Sequence, residues 1–168
     1  MTIAAQSAIA KHVSFERERG VYQVVVTPSL AHVHVMIPGE ANRNERIQRI
    51  FECFAQAGLP IFFIKLHRLA ISFALEGSRI DQAEKILQQL DLVFKLRQNL
   101  ALITIRASSM RDLTGIMVTI ADALQAANAR LYGLSDSHTS VLCLIAGDRA
   151  IAALNQLKKT FELEDERG

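Results

Sequence analysis

Between Leu30 and Ile37 apolar and polar positions alternate, with Val33, Val35 and Ile37 set against His32, His34 and Met36. That period of two predicts a half-buried strand, ended by Pro38-Gly39. From Asn44 to Ala57 the spacing changes: Ile47, Ile50, Phe51, Phe54 and Ala57 recur at helical intervals, and Gly58 closes the segment. Strands are predicted at Leu59–Leu66 and Ala70–Leu75. A second helix over Arg79–Leu90 turns Ala83, Ile86, Leu87 and Leu90 inward, and Asp91–Leu96 forms a short closing strand. The order β-α-β-β-α-β is the ferredoxin-like split unit, so the fold class is α+β.

The pattern then recurs at an offset of 70 residues. Ala31, Val33 and Val35 align with Ala101, Ile103 and Ile105; Ile50, Phe54 and Ala57 align with Ile120, Leu124 and Ala127. Further on, Ile71, Leu75, Gly77 and Ala83 align with Val141, Ile145, Gly147 and Ala153. Two ungapped copies imply one supersecondary unit used twice. The second copy predicts strands at Leu100–Ala107, Ala129–Ser135 and Ser140–Ala146, with helices at Leu113–Ala127 and Asp148–Phe161. Its fourth strand is missing, because Glu162–Gly168 is charged and has no strand character. Val21–Thr27 supplies a spare, strongly β-forming segment ahead of the first copy. An unpaired strand of that kind is a liability unless it joins a sheet. The expected organisation is therefore insertion: the first module, 29–98, lies within the second, 20–28 plus 99–168. Residues 1–19 carry no assignment.

Composition narrows the function classes. Half of the 168 residues are hydrophobic, enough for a proper core. The 19 basic and 17 acidic residues leave a net charge of only +2, so charge implies no nucleic-acid partner. Apolar runs are too short to span a membrane, and Met1–Ala10 lacks the basic n-region and sustained apolar h-region of a signal peptide. Cys53 and Cys143 form no CxxC and no metal spacing, so they read as small buried hydrophobes of a reducing cytoplasm. No phosphate loop or catalytic constellation is present, so the chain is not expected to be an enzyme or to carry a cofactor. The first strands of both copies lack the aromatics an RNA-recognition sheet needs.

Several segments together resemble the regulatory part of aspartokinases, a pair of ACT domains. They are Gly20-Val21 followed by Ala31-x-Val33-x-Val35; Met110-Arg111-Asp112-Leu113-Thr114-Gly115-Ile116 followed by Ile120 and Ala123-Leu124; and Ser135–Val141 followed by Asp148-x-Ala150. The resemblance runs from Gly20 to Leu163. It implies two ACT modules, the N-terminal strand completing the second. It also implies an amino-acid effector of the lysine or threonine class, a homodimer, and an aspartokinase catalytic chain as partner.

In such pairs an amino acid binds near the loop between a module's first strand and first helix. Exposed N–H groups at a helix start suit a carboxylate, and a glycine lets the backbone approach. Met110, Arg111, Asp112, Leu113, Thr114, Gly115 and Ile116 form that loop in the second copy, with Tyr132, Ser135 and Ser137 on the following strand and turn. In the first copy Glu45 replaces Gly115, and a carboxylate there repels an anionic effector. Phe62 and Tyr132 stand where an acid often holds the ligand's ammonium. The alternative is an interaction module that binds no ligand. His32 and His34 are too few for a metal site and read as surface or interface residues. Ser135-Asp136-Ser137-His138 is turn chemistry rather than a hydrolase relay. The apolar run Leu59–Ile64 reads as a face or edge that packs on another module or a second chain.

Overall fold

The computed structural model describes residues 20–39 and 41–163, so the segment 1–19 and the end of the charged tail lie outside the described residues. In chain order the elements are β1 (Val21–Met36), α1 (Arg43–Gln56), β2 (Phe62–His67), β3 (Ala70–Glu76), α2 (Ile80–Gln89), β4 (Phe94–Ala107), α3 (Ile116–Ala126), β5 (Leu131–Asp136), β6 (Ser140–Ala146) and α4 (Ala150–Thr160). Short 3-10 turns at Gly77–Arg79, Met110–Asp112 and Gly147–Arg149 precede α2, α3 and α4. The first copy therefore has the split β-α-β-β-α-β order, and the second repeats it as β-α-β-β-α from β4 to α4.

The chain divides into two compact units. One is Pro28–Ala101; the other joins the described residues up to Thr27 with those from Leu102 onward. In the first, the strand order is β2-β3-β1-β4. Antiparallel pairing sets Val33 opposite Phe73 and Val35 opposite Ile71. Those residues bury against Ile47, Ile50 and Phe54 of α1 and Ile80, Ala83 and Leu87 of α2. Phe54 and Phe73 meet edge to face at 5.1 Å, the geometry that ring quadrupoles favour. In the second, β1, β4, β6 and β5 follow in that order. Its core repeats the plan with Ile103, Ile105, Ile120, Leu124, Val141, Ile145, Ala153 and Leu157.

The same stop signal ends every described helix. After α1, Gly58 N–H bonds to Ala55 and Leu59 N–H reaches back to Phe54, with Gly58 left-handed. Asp91, Asn128 and Glu162 take that left-handed position after α2, α3 and α4, with the same pair of bonds. These are Schellman closures, which satisfy the last helical carbonyls.

Several boundaries depart from the sequence expectation, among them the strand expected from Ala129, which begins at Leu131, and the helix expected from Asp148, which begins at Ala150 after a 3-10 turn. Val21–Thr27 and Leu30–Ile37 are not separate strands but run together as β1, which ends at Met36; the strand expected over Asp91–Leu96 starts only at Phe94, because Asp91 and Leu92 close α2, and merges with Leu100–Ala107 into β4. The joins are Ser29 and Asn99, both left-handed, with φ of 59° and 56°. One left-handed residue shifts the strand without ending it, as a bulge does. Strand β2 begins at Phe62 rather than Leu59, because Leu59 is spent on closing α1. Helix α3 begins at Ile116 rather than Leu113, because Gly115 is left-handed and caps it.

Candidate functional site

In the second copy Met110, Arg111 and Asp112 form the 3-10 turn after β4. Met110 is buried, and its N–H donates 2.8 Å to the carbonyl of His138; one step earlier, Ala107 N–H donates 3.0 Å to Thr139. These bonds tie the loop to the β5–β6 turn. Leu113 N–H closes back on Met110, Thr114 is exposed, and Gly115 stands at φ 79° as N-cap of α3. Among the described residues no side chain caps that helix, and its first-turn N–H groups turn to backbone: Ile116 donates to Leu113 and Val118 to Gly115.

Ser137 lies in the turn that the loop touches. Its Oγ accepts from the N–H groups of Thr139 and Ser140 at 3.3 and 3.1 Å, so the hydroxyl builds its own turn. Ser135 sits opposite Leu142 on β5. Tyr132 sits at the far end of that strand, roughly 16 Å from Ser137 at strand rise, with the Arg130 guanidinium 5.3 Å from its ring centre. The structure thus joins Met110–Ile116 to the Ser137 turn and leaves Tyr132 apart. His138 contributes a backbone carbonyl there, in keeping with turn chemistry.

The unit Pro28–Ala101 contains a cavity of about 710 Å3 lined by Asn42, Arg43, Asn44, Glu45, Leu66, His67 and Arg68. The start of α1 forms one wall and the β2–β3 turn the other. Asn42, left-handed at φ 56°, caps α1 without using its side chain. The guanidinium of Arg43 donates to the carbonyl of His67, which fastens the two walls together. Its Nε is buried and has no hydrogen-bond partner among the described residues. Two guanidinium groups, one carboxylate and two carboxamides thus share one concave surface. Sequence reasoning missed Asn42, Arg43, Leu66, His67 and Arg68. The signal available was topological: in a split β-α-β-β-α-β unit, the β-hairpin turn returns beside the start of the first helix.

The model of the ACT domain family matches residues 95–159. The chain is 22% identical over 159 residues to aspartokinase 1 of Bacillus subtilis (strain 168), covering 92% of this chain and 39% of that protein. The fold resembles the regulatory subunit of aspartate kinase from Thermus flavus, with TM-score 0.75, 17% identity, and coverage of 85% of this chain and 99% of that one. It also resembles E. coli aspartokinase III in complex with lysine and aspartate, with TM-score 0.67, 14% identity, and coverage of 85% and 33%. The fold is an ACT fold. The chain spans about two fifths of the length of the curated relative it matches. Its ACT architecture matches that of aspartate kinase regulatory regions, and no described helix is long and apolar enough to cross a membrane.

Proposed function

We propose that this chain is a non-catalytic regulatory protein of the cytoplasm that binds a small amino acid and modulates a partner enzyme, an aspartokinase catalytic chain. The cavity between Asn42–Glu45 and Leu66–Arg68 carries this reading. A free amino acid is a zwitterion. Arg68 suits its carboxylate through paired N–H donors, and Arg43, whose Nη2 is held by the His67 carbonyl, adds its positive charge. Glu45, which in isolation repels an anion, supplies in that company the counter-charge for the ammonium. Regulation requires that binding differ between two packing states, which a homodimer or a complex with the catalytic chain provides. The lysine and aspartate held by E. coli aspartokinase III support an amino acid as the effector class.

A second location has its own support. Gly115 opens the start of α3, and the Met110–Ile116 loop is fixed to the Ser137 turn. We propose further that the modules are an inserted pair, 29–98 within 20–28 plus 99–168. The division at Thr27/Pro28 and Ala101/Leu102 supports that arrangement.

The test is thermal unfolding of the full chain with single amino acids, including lysine, threonine and diaminopimelate. An effector at 100 times its Kd stabilises by about 2.7 kcal/mol. Loss of that shift in Arg43→Ala locates the effector in the cavity; loss in Gly115→Asp, which adds charge and a strained backbone, locates it at the α3 loop. No shift with any amino acid, alone or with the partner chain present, favours an ACT interaction module that binds no ligand.

A further inference from the structure

The face of the Pro28–Ala101 sheet opposite its helices carries a concentration of basic groups that extends well beyond the effector cavity. Burial of Val33, Val35, Ile71 and Phe73 against the helices sends the alternate residues to the other side. Register then places His34, Ser72 and Lys65 opposite one another across β1, β3 and β2. His67 joins them: its Nε2 lies 3.0 Å from Ser72 Oγ, and its ring centre lies 5.4 Å from that of His34. His32 follows on β1. From β4, Arg97 acts electrostatically on His32 and Lys95 on His34. Arg43 and Arg68 flank the His67 end. Among the described residues of this face the one acid is Glu76, the last residue of β3, opposite Leu30.

We infer that this sheet face docks an acidic protein segment, a run of Asp and Glu side chains laid across the four strands, and that docking tightens as the histidines gain protons. The charges extend from Lys65 and His67 on β2 to Lys95 and Arg97 on β4. Three strand spacings make that roughly 14 Å, more than one small anion neutralises and well matched to an extended acidic segment. Burial and neighbouring cations both hold His32 and His34 below the usual histidine range, with burial the larger cause. An arriving carboxylate reverses the second cause. It raises the histidine pKa values, and by reciprocity a lower pH strengthens the complex. His67, Arg43 and Arg68 are shared with the edge of the amino-acid cavity, whereas His32, His34, Lys65, Lys95 and Arg97 lie outside its lining, so loss of effector binding alone leaves this inference standing.

The test uses the full chain, decaglutamate as probe, and histidine ring NMR signals at about pH 8 and about pH 6. The expected result is binding at least roughly tenfold tighter at the lower pH, with the His32, His34 and His67 signals moving and those of His32 and His34 titrating at higher pH in the complex. Lys65→Glu with Lys95→Glu should abolish binding. His34→Gln with His67→Gln should keep the folded amide spectrum and flatten the pH dependence. Any of four results overturns the inference: no binding at the lower pH, shifts confined to His138, an unchanged pH dependence in the folded histidine double variant, or displacement by equimolar inorganic phosphate. Tighter binding of polyuridine than of decaglutamate would also overturn it, by making the face a nucleic-acid surface.

Discussion

Arg106 Nη1 donates a 3.1 Å hydrogen bond to Oε1 of Gln23, a residue 83 positions earlier in the chain. The bond is exposed and contributes about 1 kcal/mol at most. Its meaning is topological, because both residues belong to the unit that also holds α3, β5, β6 and α4. Val24, buried in the same strand, contributes about 1.5–3 kcal/mol by apolar burial. Deleting the chain through Thr27 is therefore expected to unfold the unit from Leu102 onward. Amide hydrogen exchange checks this: protection should vanish in β5, β6, α3 and α4. Retained protection there would refute the inserted arrangement.

Gly77 sits beneath the bulge at Ser29. A Cβ added to Gly77 would stand 2.8 Å from the Ser29 carbonyl oxygen, a backbone atom that cannot swing aside. The φ of Gly77 is not left-handed, so close approach is the whole reason for glycine here. Gly77→Ala is expected to destabilise by about 1–3 kcal/mol, the usual cost of overpacking. Denaturant unfolding measures it. Gly20→Ala, where an added Cβ meets nothing within 4 Å, is the control and should change stability little.

Cys143 and Cys53 differ in environment. Cys143 is wholly buried on β6, and burial pushes its thiol up to about 12; Cys53 is half-buried on α1. The thiolate is the reactive form, so Cys53 is expected to react with a thiol reagent in the native protein and Cys143 only on unfolding. The sign for stability follows. Starting from 9.0, the raised value favours the native state fully below that pH and loses the benefit as pH rises toward 12. Alkaline unfolding should thus ease in Cys143→Ala relative to its own neutral stability less than in the parent chain. Equal reaction of both native cysteines would contradict the assignment.

The repeat offset made most of the fold legible, because core residues such as Val33 and Ile103 or Ala83 and Ala153 must recur wherever the same packing recurs. The strand joins were not legible. Pro28-Ser29 and Gln98-Asn99 fell between strands predicted separately, and only the left-handed geometry of Ser29 and Asn99 carries the strands through. For the candidate site, Gly115 announced itself as a glycine at a helix start. The Arg43–His67 contact did not, since its partners are 24 residues apart and meet only through the hairpin turn. Glu45 read alone implied repulsion, whereas Arg43 and Arg68 beside it change what its charge does.

The histidines of β1 give the acid side of the stability profile. Burial, followed by His34, Arg97 and His67, holds His32 below its usual value of 6.5; burial, followed by His67 and Lys95, does the same for His34. A histidine with a lowered native value takes up its proton more readily when unfolded. Its stabilising contribution is thus present above 6.5 and is lost as pH falls through the lower native value. The isolated chain is therefore expected to lose stability between about pH 7 and about pH 5. His32→Gln, which cannot protonate, should weaken that dependence, and urea midpoints across the range measure it. An acidic ligand on the sheet face should reverse the trend for these groups, since it favours the protonated rings that the neighbouring cations oppose. A chain whose stability rose on acidification without any ligand would contradict the charge arrangement from which both expectations come.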